Sequence, residues 1–289
     1  MLRGLFVGCV FFTTVTMLGI VQWTLSTLRL PGRGRVAVFY YGFLCKLLGI
    51  RVRMVGAPVL DKPTLMIGNH TSWADILAIG SVAPVAFVAK QEVRRWPVVG
   101  IIAHLQRTVF VDRQRRQQTG DAINDMVDRL KQNVPVVLFA EGTSSDGNHV
   151  LPFRSALVGA VRDASVHDTL KGRVMIQPLS ICYTGVQGMP LGRQHRYLTA
   201  WYGDLDLMPH LSALVTRGGI DAVVTFGTPI PSDQEPDRKK LTRRLEQAVR
   251  QITADTLRGR GPGDPAPHRA PEPAPAAEKV SEPAANPAA

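Results

Sequence analysis

The first pattern along the chain is an apolar stretch from Leu5 to Leu28, interrupted only by Thr, Ser and Gln22 among its small residues and carrying no charge. At roughly 24 residues, or about 36 Å of helix, it is long enough to cross the hydrocarbon core of a bilayer. Arg29, Arg33 and Arg35 follow it, whereas only Arg3 and the amino terminus precede it. The positive-inside bias then places the remainder of the chain in the cytoplasm. A second apolar run, Val36 to Ile50, contains Tyr40, Tyr41 and Lys46 and is too short to span. It predicts an interfacial or re-entrant helix with its aromatics at headgroup level. Residues 1–50 therefore read as membrane-anchoring helices.

From Arg51 to about Arg260 the pattern alternates between short β-rich runs and helical stretches. Strands are predicted at Thr64–Gly68, Val85–Ala89, Thr108–Asp112, Pro135–Ala140, Val174–Ile181, Tyr197–Tyr202 and Ala222–Phe226. Several are unbroken apolar runs, as suits strands buried on both faces. Ile123, Met126, Val127 and Leu130 recur at helical spacing, and so do Leu241, Leu245, Val249 and Ile252. The last set lies in a helix from about Asp237 to Arg258, crowded by Arg238, Lys239, Lys240, Arg243, Arg244 and Arg250. The pattern predicts an α/β domain over residues 51–260, with a mixed central β-sheet flanked by helices. From Gly261 to Ala289 Pro and Ala dominate and periodicity disappears, which predicts a disordered tail.

Composition sharpens this picture in two respects. The formal net charge of +11 predicts an anionic partner: acidic lipid headgroups, an acidic carrier protein or nucleic acid. Nucleic acid rests on charge alone, because no recognition motif accompanies it, and it is not among the expected partners. Cys9, Cys45 and Cys182 are scattered and odd in number, so neither a disulfide framework nor a metal knuckle follows. No metal and no cofactor are expected.

The chemistry gathers at strand ends. Thr64–Gly68 runs into Asn69-His70-Thr71-Ser72-Trp73-Ala74-Asp75. On one continuous helix His70 and Asp75 lie about 140° apart and do not meet. They meet if His70 sits in the turn leaving the strand and a helix begins at Thr71 or Ser72, both good N-caps. Asp75 then fixes the imidazole tautomer, and His70 takes a proton from a hydroxyl. Ser72 lacks the small-residue elbow of a hydrolase nucleophile. A second strand ends in Phe139-Ala140-Glu141-Gly142-Thr143-Ser144-Ser145-Asp146-Gly147, a turn able to present N–H groups and hydroxyls to a ligand. A third, Val109-Phe110-Val111-Asp112, exits at Arg113, which suits an anionic group. Pro152-Phe153-Arg154 and the strand around Pro178 complete the set.

These four blocks, in order from Leu65 to Ile181, resemble the glycerolipid acyltransferases typified by 1-acylglycerol-3-phosphate acyltransferase. That family shows Asn-His-x4-Asp, an aromatic-x-Asp-Arg block, Phe-Pro-Glu-Gly-Thr-Arg and an apolar strand with a Pro. The resemblance implies transfer of an acyl group from an acyl carrier protein or coenzyme A thioester to the hydroxyl of a lysolipid drawn from the membrane. His70 and Asp75 would be catalytic; Asn69, Arg113, Glu141, Gly142, Thr143, Ser144 and Arg154 would bind substrate. The enzyme would sit at the cell inner membrane with its catalytic domain facing the cytoplasm.

Two residues depart from the family pattern. Ala140 replaces the usual Pro, and Ser144 stands where phosphate-binding members carry Arg. Charge-assisted hydrogen bonds contribute roughly 1.5–3 kcal/mol, so this change weakens glycerol-phosphate binding by about tenfold to a hundredfold unless Arg154 or Arg113 compensates. The stretch Glu141 to Asn148 is similar to a branch that acylates lyso-ornithine lipid, whose headgroup is an amino acid without phosphate. Lysophosphatidate is the alternative acceptor. From other classes, a non-catalytic lipid-binding protein and a serine hydrolase of lipids or thioesters remain as contrasting readings.

Overall fold

Side-chain alternation along the central strands decides which helices cover which face. The computed structural model describes residues 2–28, 32–96, 99–111, 116–156, 158–159, 162–163, 170 and 173–260; the Pro/Ala tail expected from Gly261 lies outside them. Among these residues nine strands form one sheet: β1 (Ile50–Val55), β2 (Thr64–Gly68), β3 (Ala86–Lys90), β4 (Val109–Val111), β5 (Val136–Phe139), β6 (Met175–Val186), β7 (Met189–Pro190), β8 (Ile220–Phe226) and β9 (Ile230–Pro231). The order is β1-β8-β6-β2-β5-β3-β4, with β7 and β9 paired to β6. The pairs from β6 through β2, β5 and β3 to β4 are parallel, whereas β6 meets β8 antiparallel. The mixed α/β sheet expected from the sequence is therefore present.

Seven helices are described: α1 (Leu2–Thr27), α2 (Arg33–Leu48), α3 (Ala74–Gly80), α4 (Val99–Leu105), α5 (Arg116–Lys131), α6 (Leu207–Arg217) and α7 (Arg238–Leu257). Leu65, Ile67, Val136, Leu138 and Ile176 face α5 and α7, where Met126, Leu130, Leu241, Leu245 and Val249 are fully buried. Met66, Val137, Phe139, Leu179 and Ile181 point the other way, onto α2 and α3. Each buried aliphatic contributes about 1.5–3 kcal/mol by leaving water, so both layers are held by comparable apolar seams. The basic residues of α7 stay exposed, and Asp237 caps its first turn by accepting from Lys239 N and Lys240 N.

Three expectations change. Tyr197–Tyr202 is not a strand: Arg193–Leu198 forms a 3-10 helix, and Tyr197 and Tyr202 are exposed. The segment pairs with no strand of the sheet, and β6, the strand before it, already lies between β2 and β8. Second, Tyr40 and Tyr41 do not face headgroups. Both are buried, and Tyr41 lies edge-on to Phe87 at 6.2 Å. A Cβ on Gly80 would stand 2.3 Å from the Tyr41 ring, so glycine there lets α2 and α3 close on each other. Third, Ile50 leaves α2 and opens β1, an edge strand the pattern did not declare. Arg51 and Arg53 alternate with Ile50 and Val52, and Arg51 pairs with Asp221 of β8 at 2.6 Å.

Helix α1 covers the stretch Leu5–Leu28, with several of its side chains outside the described set, and packs on α2, α4 and α6. Among the described residues no helix is long and apolar enough to cross a membrane.

Candidate active site

Parallel strands β2 and β5 end side by side, in register from Leu65–Val136 to Gly68–Phe139. The chain leaves β2 toward α3 on one face. After β5 it turns to the other face, where Val150, Phe153 and Val158 pack with α5 and α7. Adjacent strand ends that diverge in this way open a crevice, the usual place for a ligand in an open α/β sheet. His70 follows β2 and Glu141 follows β5, so both stand at its mouth.

His70 Nδ1 lies 2.8 Å from Asp75 Oδ2. The local turn differs from the one expected. Neither Thr71 nor Ser72 starts the helix; α3 begins at Ala74, and its N-cap Trp73 makes no side-chain cap bond. Asp75 instead fastens the turn that precedes the helix, because Oδ2 accepts from Thr71 N at 2.7 Å and Ser72 N at 3.0 Å. Backbone N–H groups only donate, so Oδ2 is an acceptor toward His70 as well. Nδ1 is therefore the donor in that contact, and in the neutral form of the ring Nε2 carries a free lone pair. Tyr183 closes the arrangement by donating its hydroxyl to Asp75 Oδ1 at 2.8 Å. Burial, with the Asp75 charge beside it, pushes the Tyr183 phenol well above its ordinary range and keeps it a donor. Asp75 is wholly buried, while the His70 side chain retains 20% of its exposure. The ring stacks on Phe139, with centroids 4.2 Å apart and planes 14° from parallel.

Neighbouring segments are fastened to the same two residues. Glu141 Oε1 accepts from His70 N at 3.0 Å. Burial pushes the Glu141 carboxyl up to about 8, against the opposing pull of the backbone N–H groups of His70 and Leu151. Ser145 N donates to the His70 carbonyl at 2.8 Å, and Trp201 N donates to that of Thr71 at 2.9 Å. Gly142 has φ of +74°, and a Cβ there would meet Arg154 Nε at 2.6 Å, so the turn admits the guanidinium only over a glycine.

Of the residues singled out in the sequence, His70, Asp75, Glu141, Gly142, Thr143, Ser144 and Arg154 thus gather around one turn pair. Thr143 and Arg154 are exposed there, and Ser144 is half-buried. Asn69 is buried with its amide engaged at both ends by Ile181: Nδ2 donates to the carbonyl and Oδ1 accepts from the N–H, each at 2.9 Å. It extends the β2–β6 ladder by one side chain. Arg113 lies outside the described residues. Tyr183 was missed, because a tyrosine in a long apolar strand reads as core. Its one signal is position: it stands two residues past Ile181, on the same side of β6 and beyond the end of β2.

An imidazole with a fixed tautomer, a buried carboxylate behind it and partial exposure in front can accept a proton from a bound hydroxyl. Comparisons with known proteins give the family. The acyltransferase family model matches residues 51–182. A lyso-ornithine lipid O-acyltransferase of Brucella abortus is 44% identical over 239 residues, covering 83% of this chain and 89% of that protein. Another, of Rhizobium meliloti, is 45% identical and covers 77% of each chain. A 1-acyl-sn-glycerol-3-phosphate acyltransferase of Neisseria gonorrhoeae is 29% identical, covering 70% of this chain and 74% of that one. The crystal structure of the 1-acyl-sn-glycerophosphate acyltransferase PlsC from Thermotoga maritima shares the fold, with a TM-score of 0.54 at 19% identity over 83% of this chain and 95% of that one. The chain belongs to the acyltransferase family and is an enzyme that transfers acyl groups.

Proposed function

We propose that this enzyme acylates the free hydroxyl of lyso-ornithine lipid, taking the acyl group from an acyl carrier protein or coenzyme A thioester. The observation that carries the reading is the His70–Asp75 contact at the β2–β5 crevice. In this mechanism His70 Nε2 takes the proton of the acceptor hydroxyl while its oxygen forms a bond to the thioester carbonyl carbon. The tetrahedral adduct then expels the thiolate, which recovers the proton from the imidazolium. Asp75 holds the ring and balances its transient charge. Glu141 fixes the backbone of His70 through its N–H and, with Gly142, Thr143, Ser144 and Arg154, frames the acceptor.

The acceptor is argued from Ser144, which brings no cation to the turn, and from the likeness to the lyso-ornithine lipid O-acyltransferases of Brucella abortus and Rhizobium meliloti. Lysophosphatidate is the second reading, favoured by Arg154 leaning over Gly142. The exposed basic residues of α7 support an acidic carrier or the anionic coenzyme as donor.

Membrane anchoring belongs to the same proposal. Met17, Ile20 and Trp23 of α1, Phe39 of α2 and Ile101 of α4 are exposed apolar side chains on helices that touch one another. We place α1 in the cell inner membrane, with α2 at its interface and the catalytic domain on the cytoplasmic side. Membranes containing the enzyme, given labelled thioester and each lysolipid, test the acceptor. Faster transfer to lyso-ornithine lipid is expected, and a strong preference for lysophosphatidate would overturn this choice.

A further inference from the structure

Between Arg238 and Arg250 helix α7 carries six cations and one acid, Glu246. Leu245 and Val249 beside it are buried, so Glu246 stands on the flank where the apolar seam of the helix meets its exposed basic face. Both of its oxygens are in use. Oε1 pairs with Arg250 Nη2 one turn on, at 2.9 Å. Oε2 reaches away from the helix and accepts from Phe153 N at 2.8 Å, 93 residues distant in the chain. A Glu–Arg pair at this helical spacing is ordinary and adds little by itself. The bond to Phe153 does something else: it ties α7 to the segment that follows β5. In that segment Pro152 has no N–H to offer, and Arg154 N donates to the Ala140 carbonyl at 2.8 Å. Phe153 is buried between the two bonds, and the Arg154 side chain emerges over Gly142, its Nε 2.6 Å from where a Cβ would stand. No other described residue gives that guanidinium a hydrogen bond or an ion pair. Burial raises the nearby Glu141 carboxyl and keeps it largely uncharged at neutral pH, so it does not neutralise Arg154. The Arg250 charge is among the opposing pulls on that carboxyl, which puts this turn of α7 beside the crevice.

We infer that Glu246 is a positioning residue for acceptor binding: it fastens the Phe153–Arg154 segment so that the Arg154 guanidinium stands at the crevice mouth, where it pairs with an oxyanion of the acceptor headgroup. An amino-acid headgroup with a free carboxyl supplies a carboxylate there, and a glycerol phosphate supplies a phosphate. A guanidinium takes either through two parallel hydrogen bonds. Glu246 itself touches no substrate. It secures from α7 the cation that Ser144 does not bring to the turn. A carboxylate suits the task, because N–H bonds to charged acceptors are about twice as strong as neutral ones, and Arg250 fixes its orientation. This role rests on the proposed placing of Arg154 in the acceptor site, and it deepens that reading by naming what sets the position of the cation.

The test is steady-state transfer by the full-length enzyme in membranes, at saturating thioester, with lyso-ornithine lipid and lysophosphatidate each varied in concentration. Glu246→Ala is expected to raise the acceptor KM about tenfold, the worth of one charge-assisted hydrogen bond, with kcat nearly unchanged. Arg154→Ala should raise KM at least as far. The double variant should go no further than Arg154→Ala alone, because Glu246 acts through that side chain. Glu246→Gln keeps an acceptor for Phe153 N and should recover most of the loss. Should Glu246→Ala fail to fold, Glu246→Asp, one methylene shorter, is read in its place with the same expectation. Additive effects in the double variant, as a general loosening of the fold would give, overturn the inference. A raised KM in Arg154→Ala beside a normal one in Glu246→Ala overturns it while leaving Arg154 in the acceptor site. A normal KM in Arg154→Ala removes Arg154 from that site and overturns both. Either lysolipid that is turned over serves as the probe, so the choice between acceptors does not enter the outcome.

Discussion

Polar groups are treated in opposite ways around Asp75 and on the helices α1 and α2. Around Asp75 both carboxylate oxygens are engaged: Thr71 N, Ser72 N and His70 Nδ1 share Oδ2, and Tyr183 takes Oδ1. On α1 and α2, Gln22 Oε1 and Tyr40 Oη are equally buried and have no hydrogen-bond partner. The Asp75 carboxylate is fully engaged in the folded protein, as a group that must hold a tautomer through a reaction should be, while Ser72 Oγ and Glu141 Oε2 beside it have no hydrogen-bond partner. Satisfied buried networks rigidify, whereas each unpaired buried polar atom is a local cost.

Substitutions break this contrast in graded fashion. Asp75→Ala has the largest expected effect, because it removes the acceptor from four donors and the orienting group from His70. Transfer should fall at least about a hundredfold, within the roughly 10²–10⁴ that general-base help supplies, and the unfolding midpoint should drop with it. Tyr183→Phe leaves only Oδ1 without its donor. A loss of about 1–3 kcal/mol in stability is expected from denaturant unfolding, with transfer reduced but measurable.

Glu141→Gln sharpens the comparison through pH. The folded carboxyl holds its proton until about pH 8, whereas the unfolded one releases it near pH ~4.3. Across that interval the folded state binds more protons, so wild-type stability declines as pH rises, and the glutamine variant lacks this decline. Unfolding midpoints at pH 5 and pH 9 should therefore show Glu141→Gln gaining on wild type at the higher pH. The smallest effect belongs to Tyr40→Phe. Removing an unpartnered buried hydroxyl should leave the ligand-free protein as stable as wild type or more so, by up to about 1 kcal/mol in denaturant unfolding.

The sequence exposed the parts of this molecule whose causes are local. Thr64–Gly68 is buried throughout and is β2 residue for residue, and Met126, Val127 and Leu130 bury the face their spacing promised. The contact between His70 and Asp75 was also legible, because a strand-to-helix turn is the geometry that joins residues five apart. The bonds that hold the turn were not, since they depend on a carboxylate folding back onto Thr71 and Ser72. Tyr183 was hidden because it reaches Asp75 only through the register of β6 on β2. Tyr40 and Tyr41 look interfacial in isolation; Gly80, Phe87 and the close approach of α3 make them core. Non-local pairing wrote the surprises at Tyr183, Tyr40 and Tyr41.

The central claim is that His70 removes the acceptor proton. It is tested most directly by membranes bearing wild type or His70→Ala at equal abundance, given labelled acyl carrier protein thioester and lyso-ornithine lipid. The account predicts that the substitution lowers transfer by about 10²–10⁴ while the unfolding midpoint stays close to that of wild type. Full transfer by His70→Ala would contradict it.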